Sequence, residues 1–272
     1  MPCQRADRAR TIALSAVIRQ THKRRAVADR RDALTIKMGL ERARVVSWDE
    51  GNESALITTM PAMTLLSERF LARCVDAAST RGFKELRTSA LSPLEQATFL
   101  RAGFEVRSEL CLLAMSLDAA APTALRKDAS GGVWRFEDYE DGCLEELIDI
   151  DRAAFGVNSG FGLPALRESI VATPSTSIRV AVSAQDATEA YAVFGCSTLH
   201  GYVQRLAVRP SAQRRGAGFG LLCDGLDWMR RGGAARAFVN TERGNEAALG
   251  LYRGMGFEEQ GSFLSILSLS LR

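Results

Sequence analysis

A glycine-rich turn between an apolar strand and an amphipathic helix is the strongest constraint on how this chain of 272 residues folds. The apolar run 202–208 ends at Arg209, and residues 213–218 read Gln-Arg-Arg-Gly-Ala-Gly. An apolar-periodic stretch begins at Phe219, which predicts strand, turn and helix in that order. The first amides of a helix lack intrahelical acceptors and carry the positive end of its dipole. The turn therefore predicts a cradle for a phosphate or pyrophosphate.

The residues around this turn suit an anion but do not match two common phosphate motifs. Gly216 and Gly218 carry no Cβ atom, so an anion can approach their amides closely. Arg214 and Arg215 add two positive charges. A P-loop requires Gly-Lys-Ser/Thr at its end, and a Rossmann fingerprint requires a third glycine where Leu221 stands. Both motifs are therefore excluded.

The turn and a second motif downstream resemble the GCN5-related N-acetyltransferase (GNAT) superfamily. Residues 213–218 match its coenzyme A loop, Gln/Arg-x-x-Gly-x-Gly/Ala, and residues 245–257 match its helix Asn-x-x-Ala-x-x-Leu-Tyr-x-x-x-Gly-Phe. Both occur in the family's order and at its spacing. The resemblance covers residues 133–272 and implies an α/β (α+β) domain, in which helices flank a mixed, mostly antiparallel sheet that is splayed open. A final pair of strands is expected between residues 258 and 271.

A weaker copy of the same pattern precedes this domain. Residues 99–104, Phe-Leu-Arg-Ala-Gly-Phe, align with residues 252–257, Tyr-Arg-Gly-Met-Gly-Phe, which indicates an internal repeat. The copy has phenylalanine in place of Tyr252, and residues 59–64 offer no glycine cradle. We interpret residues 38–118 as a degenerate, non-catalytic half of a tandem chain that contributes packing and part of the acceptor pocket. A coincidental helix and strand is the alternative interpretation.

Two segments outside these halves are predicted to lack a fold of their own. Residues 1–37 are strongly basic, which favours a disordered or weakly helical leader over a nucleic-acid arm or a targeting peptide. Because Met38 closely precedes the first expected strand at 43–48, a start-site artefact is a further hypothesis for this leader. Residues 119–132 are rich in small and helix-breaking residues and form the predicted linker.

Composition argues against several other classes of protein. A net charge of +3 gives no general affinity for polyanions, and no apolar run is long enough to span a bilayer as a helix. The six cysteines form no Cys-x-x-Cys pair and there are two histidines, so no metal site is expected. Isolated cysteines suit a reducing compartment. We expect a cytoplasmic protein with no nucleic-acid or membrane partner, and a monomer is favoured because tandem halves imitate a dimer.

The resemblance implies that the second half transfers an acetyl group directly from acetyl-CoA to a primary amine of a small molecule or a protein. Tyr252 would be the catalytic acid, because a phenol with a pKa of about 10 can protonate a departing thiolate that is held near it. Asn245 would contact the pantetheine arm, cap its own helix, or do both. The residues that would bind coenzyme A are Leu206, Ala207, Val208, Gln213, Arg214, Arg215, Gly216, Ala217, Gly218, Phe219 and Asn245.

The general base cannot be assigned from the sequence. Family members often carry a glutamate at the positions where Tyr202 and Asn240 stand here, and neither residue is a carboxylate. The missing carboxylates leave a second class of function open, a non-catalytic sensor that binds coenzyme A or acyl-CoA. A nucleic-acid-associated module that uses the basic residues 1–37 is a further alternative, which would bind with a steep salt dependence.

Overall fold

The computed structural model describes residues 33–48, 53–59, 65–117, 134–139 and 143–271. In the first half, the strands are β1 (Leu34–Met38), β2 (Glu41–Ser47), β3 (Ser54–Thr59), β4 (Glu85–Thr88) and β5 (Glu105–Ser116), and the helices are α1 (Glu68–Thr80) and α2 (Pro93–Arg101). Residues 1–32 of the predicted leader and the whole predicted linker lie outside the described residues.

The predicted disordered or weakly helical leader, residues 1–37, overlaps strand β1. That prediction is therefore wrong for residues 34–37. Strand β1 forms an antiparallel hairpin with β2, and Gly39 in the turn adopts a left-handed conformation with φ +60°. Ile36 is the only buried side chain of this strand and joins the core of the first half. One buried apolar residue beside a basic stretch is too weak a pattern to predict a strand, which explains why the sequence placed the first strand at 43–48.

In the second half, the strands are β6 (Trp134–Asp138), β7 (Ser175–Ser183), β8 (Thr188–Ser197), β9 (His200–Val208), β10 (Arg236–Glu242) and β11 (Glu258–Ser270), and the helices are α3 (Leu144–Ser159), α4 (Leu163–Val171), α5 (Ala217–Arg231) and α6 (Glu246–Gly254). None of the described helices is long and apolar enough to cross a membrane. The order of elements is the expected one except at its end.

The eleven described strands belong to one sheet in the order β1-β2-β3-β4-β11-β5-β10-β9-β8-β7-β6. β3 pairs with β4 and β9 pairs with β10 in parallel, whereas the other neighbouring strands are antiparallel. This confirms the predicted mixed, mostly antiparallel sheet flanked by helices. The runs β3-α1-β4-α2-β5 and β9-α5-β10-α6-β11 share the same element order, in agreement with the repeat seen in the sequence.

The two halves exchange strands at the centre of the sheet. β11 of the second half lies between β4 and β5, and β5 of the first half lies between β11 and β10. β10 pairs with β5 along its whole length, from Arg236 opposite Ser116 to Glu242 opposite Leu110. The second half, predicted as a complete domain at 133–272, therefore depends on a strand of the first half. The division of the chain between residues 118 and 133 stays a prediction.

The expected final pair of strands is instead the single strand β11. Its pairing with β5 is irregular between Glu259 and Phe263, where Gly261 is left-handed with φ +66°, and then continues in the same direction. Because β5 already occupies the position beside β10, the end of the chain has a partner without folding back on itself. The expected hairpin is replaced by a bulged strand.

Side chains at alternate positions of β8 divide between the two faces of the sheet. Ala192 and Phe194 join the core beneath α5 and α6, whereas Tyr191 and Val193 join the core beneath α3 and α4. A third core packs α1 and α2 onto the first half, with Phe70 completely buried. Helices therefore cover both faces of the sheet around β8. The site described below is a gap between two strands of this part of the sheet.

Candidate active site

A cleft opens in the sheet where β9 and β10 diverge. These strands pair only over their first residues, with His200–Val203 beside Arg236–Val239. Beyond this point β9 stays paired with β8 as far as Val208, and β10 stays paired with β5 as far as Glu242. The register of β9 on β8 shifts at the same place and leaves Gln204 without an opposing residue. The sheet is therefore splayed, as the sequence predicted.

The amides of Leu206 and Val208 line one wall of this cleft. Arg209 donates its amide hydrogen to the carbonyl of Glu189, at the edge of β8, over 2.9 Å. Since hydrogen-bonding directions alternate along a strand, the amides of Leu206 and Val208 face away from β8, whereas the amide of Ala207 faces β8. Of these three predicted coenzyme-binding residues, Leu206 and Val208 can offer an amide to a ligand in the cleft, and Ala207 cannot.

The glycine-rich turn leads into α5 through two left-handed residues. Arg214 has φ +59° and Gly216, the N-cap, has φ +86°. No side chain caps this end of α5, and its first helical hydrogen bond runs from Gly220 to the carbonyl of Gly216, over 2.9 Å. The preceding amides, from Ala217 to Phe219, therefore have no i−4 acceptor within the helix and can receive an anion.

Gln213 and Gly218, two other predicted cradle residues, shape the turn and the cleft. The Gln213 side chain donates to the carbonyl of Val208 over 3.1 Å, which fastens the turn to the end of β9. A Cβ atom at Gly218 would lie 3.4 Å from Leu251 and 3.5 Å from Val208, so a larger side chain would press on the walls of the cleft. Glycine at this position keeps the cleft open beside the helix terminus.

Strand β6 packs against the glycine-rich turn. The indole nitrogen of Trp134 donates to the carbonyl of Arg215 over 2.6 Å, and the Arg215 guanidinium lies 5.4 Å from the centre of the Trp134 ring. The two ends of a trans peptide point in opposite directions, so a carbonyl turned towards Trp134 turns the amide of Gly216 outwards. Phe136 fills the space beside Gly220, where an added Cβ would lie only 2.0 Å from the ring. Neither Trp134 nor Phe136 was predicted from the sequence to be part of the site.

Helix α6 supplies the remaining two predicted residues. Asn245 accepts a hydrogen bond from the amide of Ala248 over 3.1 Å, so it caps its own helix. Tyr252 is 5% exposed and meets Phe257 edge-on, with ring centres 5.8 Å apart. Burial raises the pKa of Tyr252 to about 12, against the opposing effect of the positive charge of Arg205. The phenol therefore keeps its proton throughout the neutral range, as an acid must.

A buried carboxylate organises the opposite side of the cleft. Asp151 on α3 is fully buried and accepts hydrogen bonds from the Tyr191 hydroxyl at 2.5 Å and from the amide of Phe161 at 2.6 Å. Arg205 on β9 completes the set with Nε at 2.7 Å from one carboxylate oxygen and Nη2 at 2.6 Å from the other. Burial and the charge of Asp151 raise the pKa of Tyr191. This network ties α3 and the segment before α4 to the cleft strand.

The first half contacts the same region. Trp48, just after β2, meets Phe161 edge-on with ring centres 5.4 Å apart. Arg44 on β2 forms an ion pair of 2.8 Å with Glu168 on α4, and both side chains are at most 15% exposed. The segment beside the cleft that links α3 to α4 is therefore supported from both halves of the chain.

The structure supplies no carboxylate at the two positions where the family often has one. Tyr202 stacks on Phe238 with ring centres 5.9 Å apart, and Asn240 is exposed on β10. Nearby His200 also packs edge-on against Phe238, at 5.4 Å. The described part of the chain contains no group of three or more His, Cys, Asp or Glu residues that could hold a metal ion.

The first half has its own carboxylate at the helix end that corresponds to the cradle. Glu41 accepts hydrogen bonds from the amide and the hydroxyl of Ser67, over 2.5 Å and 2.9 Å, and the Ser67 hydroxyl caps the amide of Phe70. An acidic side chain thus lies where α1 would otherwise receive an anion. Most of the predicted glycine-free turn, residues 60–64, lies outside the described residues.

The comparisons with known proteins agree with this geometry. Residues 137–257 match the model of the acetyltransferase (GNAT) family. The comparison with curated proteins gives no significant match. Similar solved structures include a tandem GNAT protein from the clavulanic acid biosynthesis pathway, with a TM-score of 0.60, 12% identity, and 87% of this chain and 81% of that chain covered.

Two further solved structures are similar in fold. A GCN5-related N-acetyltransferase from Sphaerobacter thermophilus has a TM-score of 0.56 at 13% identity, with 85% of this chain and 77% of that chain covered. One from Kribbella flavida has a TM-score of 0.53 at 15% identity, with 90% and 94% covered. The splayed sheet and the uncapped helix after the glycine-rich turn agree with the match of residues 137–257 to the acetyltransferase family. The chain carries a GNAT acetyltransferase domain, and its overall fold is similar to that of a tandem GNAT protein.

Proposed function

We propose that the protein transfers an acetyl group from acetyl-CoA directly to a primary amine, and that the cleft between β9 and β10 is its active site. The observation that carries this proposal is the convergence of two sets of backbone amides. Those of Leu206 and Val208 face the cleft, and those of Ala217–Phe219 lie at the uncapped start of α5. A ligand with an extended amide-containing arm and a pyrophosphate at one end fits both sets.

Each part of acetyl-CoA has a partner in this arrangement. The pyrophosphate would lie against the first turn of α5, where free amides and the helix dipole favour negative charge. The pantetheine arm would pair with β9 in the manner of an added strand. An amide of β9 would donate to the thioester oxygen as negative charge develops there during attack by the amine.

Tyr252, which is protonated at neutral pH, supplies the proton that the leaving group requires. The amine nitrogen attacks the thioester carbon, the carbon–sulfur bond breaks, and the departing thiolate takes the phenolic proton of Tyr252, which is then replaced from solvent. The amine releases its own proton to water, because neither Tyr202 nor Asn240 can act as a carboxylate base. Glu41 of β2, whose carboxylate binds Ser67 at the start of α1, leaves the first half without an equivalent site, so one coenzyme is expected per chain.

Calorimetric titration with acetyl-CoA tests the binding part of this proposal. The wild-type protein should bind one equivalent, and Gly218→Glu should abolish binding because the side chain enters the cleft beside the phosphates and repels them. Gly250→Glu is the matched control, because it introduces the same charge at an exposed position with no atom within 4 Å of the new Cβ. A folded wild-type protein that fails to bind acetyl-CoA would contradict the proposal.

A non-catalytic sensor of coenzyme A is the second candidate, and the lack of a carboxylate at the family's usual base positions favours it. The variant Tyr252→Phe separates the two functions. An enzyme should keep its affinity for acetyl-CoA and lose turnover by a factor of about 100 when its acid is removed. Turnover is measured by mass spectrometry of acetylated products from a panel of amines. Binding of acetyl-CoA without acetylation of any amine would favour the sensor.

A further inference from the structure

The guanidinium of Arg205 is held rigidly beside the cleft with part of its donor capacity unused. Three of its five N–H groups have partners: Nε and one hydrogen of Nη2 bind Asp151, and the second hydrogen of Nη2 binds the carbonyl of Ser159 over 3.1 Å. Among the described side chains, nothing accepts from Nη1. Its two N–H groups are therefore available to a ligand.

Two aromatic rings and a carboxylate surround the guanidinium of Arg205. The ring centre of Phe155 lies 3.8 Å from the guanidinium carbon, and that of Phe161 lies 3.9 Å from it, so both rings pack against the group. Asp151 covers one edge. The side chain nevertheless keeps 15% of its exposed area, and no nitrogen of Arg205 is among the described buried atoms without a partner. Nη1 is therefore not completely buried.

Arg205 lies on the strand that lines the cleft of the proposed transfer. Arg205 immediately precedes Leu206, whose amide faces the cleft, and its charge acts on the hydroxyl of Tyr252. The aromatic rings of Phe155 and Phe161, with Trp48 behind Phe161, make this side of the cleft apolar around one cation. An arginine fixed in this way loses little conformational freedom when it binds a second partner.

We propose that Nη1 of Arg205 binds a carboxylate of the acceptor, so that the acceptor is a small amine that also carries a carboxylate, as an amino acid does. The inference rests on the proposed acetyl transfer. Two N–H groups on one nitrogen suit a singly charged anion, whereas the adjacent Asp151 disfavours a doubly charged phosphate. The aromatic walls fit an apolar side chain on the acceptor.

The test compares matched acceptors with the wild-type protein and acetyl-CoA. The common L-amino acids are set beside their carboxamides and their decarboxylated amines, and acetylated products are measured by mass spectrometry. At least one acid should react with a kcat/KM about tenfold or more above that of its carboxamide and its amine, because a charge-assisted hydrogen bond is lost in both analogues. Arg205→Lys, which keeps a positive charge near Asp151, should abolish this preference and leave the affinity for acetyl-CoA unchanged.

Three outcomes overturn the inference. The first is that carboxamides or decarboxylated amines react as well as the acids. The second is that the preference persists in Arg205→Lys. The third is that acetyl-CoA binds while none of the carboxylate-bearing amines reacts. Failure of the proposed function itself would look different, because it would appear as no binding of acetyl-CoA and no acetylation of any amine. Separate measurement of acetyl-CoA binding by calorimetry keeps the two failures distinct.

Discussion

The indole nitrogen of Trp134 lies 2.6 Å from the carbonyl oxygen of Arg215 and donates a hydrogen bond to it. This contact joins the first strand of the second half to the turn at the start of α5, and it fixes the orientation of the peptide that presents the amide of Gly216. Trp134 therefore acts as a positioning residue for the proposed pyrophosphate site, although its side chain is 6% exposed and lies beneath the turn.

Removal of this hydrogen bond should lower the affinity for coenzyme A and leave the protein folded. In Trp134→Phe the ring is kept and the donor is lost, so we expect the Kd for coenzyme A to rise about tenfold, equivalent to one hydrogen bond to the turn. Trp228→Phe, within α5 but away from the turn at its start, is the matched control and should leave Kd unchanged. Calorimetric titration measures both. Equal Kd values for Trp134→Phe and the wild type would show that the turn keeps its shape unaided.

Glycine is required at residue 220 because of packing. An alanine there would place its Cβ 2.0 Å from Phe136, so we expect Gly220→Ala to lower the free energy of unfolding by about 1–3 kcal/mol. Gly250→Ala, in the exposed interior of α6 with no atom within 4 Å, should raise it by about 0.5–1 kcal/mol. Urea denaturation gives both values. A stabilising effect at both positions would mean that Phe136 moves aside without cost.

The buried carboxylate of Asp151 should be essential to stability. Asp151→Asn leaves Arg205 without its charge partner and changes the acceptors available to Tyr191 and Phe161, so we expect a loss of about 3–5 kcal/mol. Asp149→Asn, at an exposed position of the same helix, should have little effect. Thermal or urea denaturation compares the two. A loss of less than about 1 kcal/mol in Asp151→Asn, about half the cost of one unsatisfied buried group, would contradict this role of the carboxylate.

Tyr252 should contribute to the alkaline limit of stability. Its pKa is about 12 in the folded protein and about 10 in an unfolded chain, so the folded state binds more protons between these values. The contribution to stability is therefore complete below pH 10 and is lost as the pH rises through 12. We expect the free energy of unfolding of Tyr252→Phe to fall less steeply than that of the wild type across this window. Parallel curves would indicate that the hydroxyl is already hydrated in the folded state.

The sequence predicted the parts of the site that are local in the chain. The glycine-rich turn, the helix that follows it and the helix of Tyr252 all arise from short motifs, and their capping and periodicity can be recognised within about a dozen residues. The Gly-Phe repeat similarly predicted that the element order of the first half would reappear in the second. These features depend on neighbours in sequence.

The features that the sequence did not predict depend on residues far apart. Trp134 and Arg215 are separated by 81 positions, and Asp151 and Arg205 by 54. Each of these residues taken alone is an ordinary aromatic, acidic or basic side chain. The exchange of β5 and β11 was also missed, because strand pairing between distant segments leaves no periodic signal in either strand.

The exchange has a consequence for folding during synthesis. β5 and β4 both need β11 as a neighbour, and β11 extends to Ser270, so neither strand can pair on that side until nearly the whole described chain has left the ribosome. Until then the N-terminal half exposes the strand edges that β11 later covers, a state prone to association with other chains. Once closed, the two halves share a central pair of strands, and each half can lose its sheet only by opening the other.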